Sequence, residues 1–401
     1  MPDPTAPAVE RIGQRIHETR LLRGYSLREL GKRATVSAAQ LSRVESGARY
    51  ATPTVVAAVA RALNVSVSVL YGQPYIKMLQ ADQLDRLLTP ISAALDAWDI
   101  PPAPGDPPPR PLAVLEDDVK SIAHMSRSSS YLEVARQLPG LIGEINHATL
   151  LLHQAGRDRE RAHWLQADIG RWAYGVARRI GYPDIARHAS ARMAAAAPHS
   201  GDPVQGAIER WDRSQLMIDA GRHDLGLRLV RQALHDLDDD PSTGGQAMRG
   251  SLYLRAAILE RRGGNAGAAT DWLKEAGQLA KRTGELPDHG LVFGPANVVI
   301  HTMSVETDRD QHAKALESAA GLRLPSDYPP ERAGAYWVSK ARAEAWSAQS
   351  DAALNSLLTA RKVAPQRTRY HPGAHETVGT LLRARPRPSE ELRAFAEWCG
   401  V

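Results

Sequence analysis

An all-α protein is expected from this sequence, with a small five-helix head followed by an α-solenoid of helix pairs. Three observations predict it. Ala, Leu and Arg dominate the 401-residue chain, hydrophobic residues make up 43% of it and aromatics only 5%, a balance that favours helix over sheet. Gly24 to Gly47 reads as two short helices joined by a tight turn, the second with a polar, basic face. From Leu112 onward the pattern is helical throughout, and it repeats. At this length two to three domains are expected rather than one.

Residues 9–23 carry Val9, Ile12, Ile16, Leu21 and Leu22 with Arg and Glu between them, an amphipathic helix that Gly24 ends. Ser26 stands as N-cap ahead of Leu27 and Leu30, which lie one turn apart. Thr35-Val36-Ser37 breaks that pattern, and Ser37 caps a further helix whose Leu41 and Val44 point inward. Ala38, Ala39, Gln40, Ser42 and Arg43 are left outward, where a DNA-reading helix puts its contacts. Gly47 closes this helix, and Arg49 lies in the loop beyond. Thr52 as N-cap and Pro53 at the first helical position start a fourth helix, with Val55, Val56, Val59 and Leu63 on its apolar face. Ser66 to Leu70 gives a short fifth.

Charge is placed unevenly. Residues 1–75 hold ten of the 50 basic and five of the 45 acidic side chains, so the remaining 326 residues carry 40 of each and the whole net charge of +5 sits on the head. A local positive field attracts a polyanion, although a solvated basic surface has the same composition.

Five helices with this turn and this glycine resemble the Cro- and Xre-type, lambda-repressor-like helix-turn-helix domain of phage and bacterial repressors. The matching residues are Gly24-Tyr-Ser-Leu-Arg-Glu-Leu30, Val36-Ser37, Leu41-Ser-Arg-Val-Glu-Ser-Gly47, Pro53 and Ala60-Arg-Ala-Leu-Asn-Val65. The resemblance implies a buried ion pair between Arg20 and Glu45 that fixes geometry more than it stabilises. It also implies phosphate contacts from Ser26, Leu27 and Arg28 at the second helix's N-terminus, and from Ser46 and Arg49. The family often has glutamines where this chain has Leu27, Ala38 and Ala39. Alanine touches thymine methyls but makes no bidentate hydrogen bond, so base reading should lean on Gln40, Ser42 and Arg43. Arg43 suits a guanine edge and equally a phosphate.

In the connector, residues 74–111, Leu84, Leu88, Ile91, Leu95 and Trp98 form an apolar stripe that Thr89-Pro90 is expected to kink or interrupt. The stripe packs on the adjacent domain or pairs with its copy in a dimer. Pro101 to Pro111 holds seven prolines in eleven residues and reads as a stiff, extended spacer.

Gly221 to Ala233 and Gly264 to Ala276 share a turn glycine, a small residue five positions on and an alanine twelve positions on. Weaker copies run from Asp310 and from Ala348. The markers Gly226, Ala269, Ala315 and Ala353 are spaced by 43, 46 and 38 residues. Small residues there let two helices approach closely, and each pair buries its face on the next. This resembles tetratricopeptide repeats with longer helices or loops than the usual repeat of about 34 residues. Trp164 to Ile180 and Ile185 to Ala197 look like further pairs, and Ser389 to Phe395 like a capping helix. The full chain resembles an actinobacterial Xre-family regulator with a tetratricopeptide-like C-terminal domain, on Ile180-Gly-Tyr-Pro-Asp184, Phe293 to His301, Ala364-Pro365 and Tyr370-His-Pro372. In domain order alone it is similar to the peptide-sensing RRNPP regulators. The expected segments are a flexible tail (1–8), the helix-turn-helix domain (9–73), the connector (74–111) and the solenoid (112–401).

Catalytic chemistry, a metal site and a cofactor are not expected. His371, His375 and Glu376 lack the helical His-Glu-x-x-His spacing, and Gly263-Gly-Asn-Ala-Gly267 has no strand before it to make a phosphate cradle. Asp238-Asp-Asp240 reads as a solvated loop, and Cys399, the single cysteine, as a packed residue rather than a nucleophile. The N-terminus lacks a signal peptide's basic and apolar regions, and no apolar run approaches a membrane span, so a cytoplasmic protein is expected. Asn297 and His301 share one face of an apolar helix and could capture a ligand in a solenoid groove or bond to a neighbouring helix. Trp211, Tyr336 and Trp337 could line that groove or fill the core. The expected function is a homodimeric transcriptional regulator that binds double-stranded DNA at a two-fold operator and senses a peptide, small molecule or protein. The alternative is an interaction hub or antitoxin-like partner whose head only tethers it to DNA.

Overall fold

The structure, a computed structural model, describes residues 12–72, 78–237, 240–384 and 387–401. The expected tail at 1–8, Val9 and the first two aspartates of Asp238-Asp-Asp240 lie outside these residues. Two compact units divide the chain: Met1–Lys77 with Asp219–Gly221 and Val299–Val401, and Met78–Ile218 with Arg222–Val298.

The first unit begins with the head: α1 (Ile12–Leu22), α2 (Leu27–Ala34), α3 (Ala38–Glu45), α4 (Pro53–Leu63) and α5 (Val67–Tyr71). Its core joins Ile12, Ile16, Leu30, Leu41, Val44, Val55, Val56, Val59, Leu63 and Leu70. Leu21 and Leu22 do not belong to it; they are 57% and 86% exposed. The buried stripe of α1 runs Ile12, Ile16, Arg20 at intervals of four, so the charged residue takes the inward place in the last turn. The turn after α2 is tight: Thr35 adopts the left-handed conformation. A Cβ on Gly31 would lie 2.6 Å from the Val36 carbonyl oxygen, so this approach requires glycine.

The second unit runs through α6 (Met78–Asp96), α7 (Leu112–Arg127), α8 (Tyr131–Leu151), α9 (Arg157–Ile180), α10 (Pro183–Ala196), α11 (Pro203–Asp219), α12 (His223–Asp236), α13 (Thr243–Arg262) and α14 (Ala266–Thr283). Helix α6 passes through Pro90 without a break, contrary to the interruption expected there. Pro90 is on the exposed face, where a carbonyl left without its helical partner is open to solvent and the missing bond costs least. Leu84, Leu88, Ile91 and Leu95 are buried as α6 packs on α8 and α10. Near the end of the proline-rich stretch, the Arg110 guanidinium forks onto Glu144, with donor distances of 2.9 and 2.7 Å.

Helices α9 and α10, and α13 and α14, pack as pairs, and α12 lies against α13. At the first repeat marker, a Cβ on Gly226 would sit 2.6 Å from Leu259 Cδ2, so the small residue sets the approach of α12 to α13. Ala269 is fully packed in the same way. The helical pattern expected throughout is broken by β1 (Leu286–Asp288) and β2 (Leu291–Phe293), antiparallel in the register Leu286 to Phe293. His289 and Gly290 at its tip both have positive φ, the geometry of a two-residue hairpin turn. The tip is fastened down by His289 Nε2, 3.3 Å from Asp202, and by Arg171, which donates to the His289 carbonyl.

Helix α15 (Pro295–Thr307) follows, and the first unit then continues with α16 (His312–Ala319), α17 (Pro330–Trp346), α18 (Ser350–Val363), α19 (Pro365–Arg369), α20 (Pro372–Ala384) and α21 (Glu390–Cys399). The markers Ala315 and Ala353 are wholly buried, Ala315 with Met303 and Tyr336, Ala353 with Leu357 and Ala360. Ser389 caps α21 by accepting from the Leu392 amide, and Phe395 and Cys399 close the terminal core.

Candidate nucleic-acid interface

Helix α3 is built from both ends. Ser37 holds extended geometry and its Oγ accepts from the Gln40 amide at 3.1 Å, satisfying one of the amides that a helix start leaves open. Leu41 and Val44 anchor the inner face at 0% and 2% exposure. On the outer face Ser37, Ala39, Ser42 and Arg43 are exposed, and Ala38 and Gln40 are half-buried. The structure therefore brings the expected reading residues together on one open surface.

Arg20 fixes the angle of that surface. Its Nε and one terminal nitrogen donate to the two Glu45 oxygens at 2.7 and 2.8 Å, and the other terminal nitrogen donates to the Tyr25 carbonyl at 2.9 Å. His17 Nδ1 lies 2.7 Å from the same carboxylate. Burial pushes the Glu45 carboxyl up, but the hydrogen bonds from Arg20 and His17 outweigh it and hold the group below the usual carboxylate range. One guanidinium thus links α1, the α1–α2 loop and the last turn of α3.

The flanking residues divide. Ser26 and Glu29 form a capping box at α2: Ser26 Oγ accepts from the Glu29 amide at 3.2 Å and the Ser26 amide donates to Glu29 at 2.7 Å. Arg28 is exposed beside it. Leu27 is half-buried and packs against the head core, so its side chain serves packing. Ser46 Oγ donates to the Arg43 carbonyl at 3.1 Å. Arg49 forms an ion pair with Asp310 at 3.0 Å. The next residue, Tyr50, is 2% exposed, with its ring 5.7 Å from His312 and 5.8 Å from Trp346. In the sequence Asp310 marked only the start of a weak repeat copy and Tyr50 did not stand out; the one signal for Tyr50 is a large aromatic in an otherwise small, polar loop.

Asn297 is 3% exposed and donates to the Val292 carbonyl at 2.7 Å, which ties α15 to β2. His301, one turn on, is half-buried. Trp211 donates to the Ser251 carbonyl and Tyr336 sits in the core around Met303. Among the described residues no group of three His, Cys, Asp or Glu side chains is placed to hold a metal ion. Cys399 is buried, which pushes its thiol up to about 12. No described helix is long and apolar enough to cross a membrane.

Residues 16–70 match the family model described as helix-turn-helix. No curated protein matches the chain. Among solved structures, PlcR of Bacillus thuringiensis, in complex with the peptide PapR7 and DNA, aligns at 15% identity over 68% of this chain and 95% of that one, with a TM-score of 0.29. The match at 16–70 covers α2, the turn and α3 with the helices around them, so the head of this protein is a helix-turn-helix domain.

Proposed function

We propose that this protein is a sequence-specific, DNA-binding transcriptional regulator that lays α3 in the major groove. What carries the reading is the outer face of α3: a polar, basic surface of Gln40, Ser42 and Arg43, held at a set angle by the Arg20–Glu45 fork, in a head that holds the chain's whole positive excess. Phosphate contacts come from Ser26, Arg28, Ser46 and Arg49, and base contacts from Gln40, Ser42 and Arg43, with Ala38 and Ala39 against thymine methyls. Two heads on a two-fold operator supply the affinity that one modest reading helix lacks, so the protein acts as a homodimer. The helix pairs beyond the head sense a peptide, small molecule or protein that sets when the head binds.

The test is genomic footprinting followed by mobility shifts on the recovered sites at several salt concentrations. A preferred, dyad-symmetric site and a falling affinity with salt are expected. Binding without sequence preference at physiological salt would sink the reading.

A further inference from the structure

The loop that leaves α3 carries two residues facing different tasks. The Arg49 amide donates to the Arg43 carbonyl at 3.0 Å, so the backbone of the loop is fixed to the end of α3. Its guanidinium is about one-third exposed and paired with Asp310. Tyr50 is buried between His312, Trp346 and the Arg342 guanidinium, which lies 5.0 Å from its ring centre. Asp310 stands in the turn between α15 and α16 at φ +64°, and its other oxygen lies 3.0 Å from His312 Nε2. That second bond points the carboxylate. The unit therefore holds the head by its DNA-side loop.

We propose that Asp310 competes with a DNA phosphate for Arg49, so that the helix pairs beyond α15 restrain the head through this latch. The proposal rests on the DNA-binding reading above. A phosphate approaching Arg49 meets the Asp310 carboxylate on the same guanidinium, and two anions at one cation repel. The pair is half-buried, with part of both side chains open to solvent, and a polyanion that reaches the guanidinium from that side competes with the carboxylate. Tyr50 keeps the loop seated, so release of Arg49 frees the charge while the loop stays packed.

The experiment measures DNA affinity of the full chain, on the footprinted operator, for Asp310→Asn, Arg49→Gln and the double variant. Asparagine accepts the positive φ at 310 and retains an oxygen for His312, so Asp310→Asn leaves the turn intact. Asp310→Asn should tighten binding about fivefold at low salt, with the gain shrinking as salt rises. Arg49→Gln should weaken binding, and adding Asp310→Asn to it should bring no gain. Equal tightening with and without Arg49, or no change while the parent protein binds, overturns the latch. Absence of binding by parent and variant alike would overturn the functional reading and the latch with it.

Discussion

The Arg20 guanidinium and the Glu45 carboxylate, 25 residues apart, meet in two parallel hydrogen bonds of 2.7 and 2.8 Å that join α1 to the end of α3. Removing one partner leaves the other charge with lost bonds in a mostly buried place. Glu45→Ala should therefore destabilise the head by about 3 kcal/mol. Replacing both residues with apolar ones of similar volume should cost far less while loosening DNA binding. Hydrogen exchange of the α1 and α3 amides, measured beside DNA affinity, separates the two effects. Equal damage from the single and double changes would refute this account of the pair.

Arg43 is exposed on the outer face of α3, in the last turn of the helix. Arg43→Ala should weaken operator binding by about 1–3 kcal/mol and flatten the preference at one base pair of each half-site. A uniform loss across all sequences, with the salt slope reduced by about one, would assign Arg43 to a phosphate instead. Competition binding against a panel of single-base operator variants reads the difference.

The repeat markers predict intolerance to size. Ala353 is wholly buried where α17 and α18 pack together. Ala353→Leu should cost about 1–3 kcal/mol through overpacking, and Ala353→Gly about 1–2 kcal/mol through helix propensity and the lost buried methyl. Thermal melting and the exchange of the α17 and α18 amides check both. A leucine variant as stable as the parent would mean that the helices do not approach there as described.

His375 and Glu376 are neighbours in α20 with opposed proton affinities. Burial pushes His375 down to about 4, with Arg15 and Arg369 adding to it and its hydrogen bond to the Arg369 carbonyl opposing. Burial pushes Glu376 up to about 7 against the attraction of Arg342 and Arg383. Below pH of about 6.5 the unfolded histidine takes up a proton that the folded one refuses, so its contribution to stability falls as pH drops toward 4. The folded glutamic acid takes up a proton between pH of about 7 and 4.3 before the unfolded one does, so its contribution rises over the same range. The two slopes oppose. Relative to the parent, His375→Gln should gain stability as pH falls from 7 to 4.5 and Glu376→Gln should lose it, each by up to about 1.4 kcal/mol per pH unit. Denaturant unfolding across that range, followed by exchange in α20, is the measurement; curves parallel to the parent's would refute the assignment.

Much of the head was legible in the sequence because its signals are short-range. Ser26, Ser37 and Thr52 cap helices within three residues of themselves, and all three accept the expected amide. The repeat markers were legible for a similar reason, since only a small side chain fits where two helices touch. Period reasoning failed at the end of α1, where Leu21 and Leu22 lost the inward place to Arg20 because a distant partner, Glu45, makes a charge acceptable there. It failed again at Leu286 to Phe293, since two three-residue strands are too short to show an alternation.

By itself, then, the sequence determined the all-helical class, the helix-turn-helix with the outward side chains of its second helix, and the helix-pair repeats, all of which rest on residues close together in the chain. Only the tertiary structure decided that the head shares a compact unit with residues 299–401, that Tyr50 is buried there, and that Arg49 meets Asp310. Those pairings join residues more than 250 positions apart. Nothing local marks them, because the energy that selects them comes from burial and charge that exist only once the chain has folded.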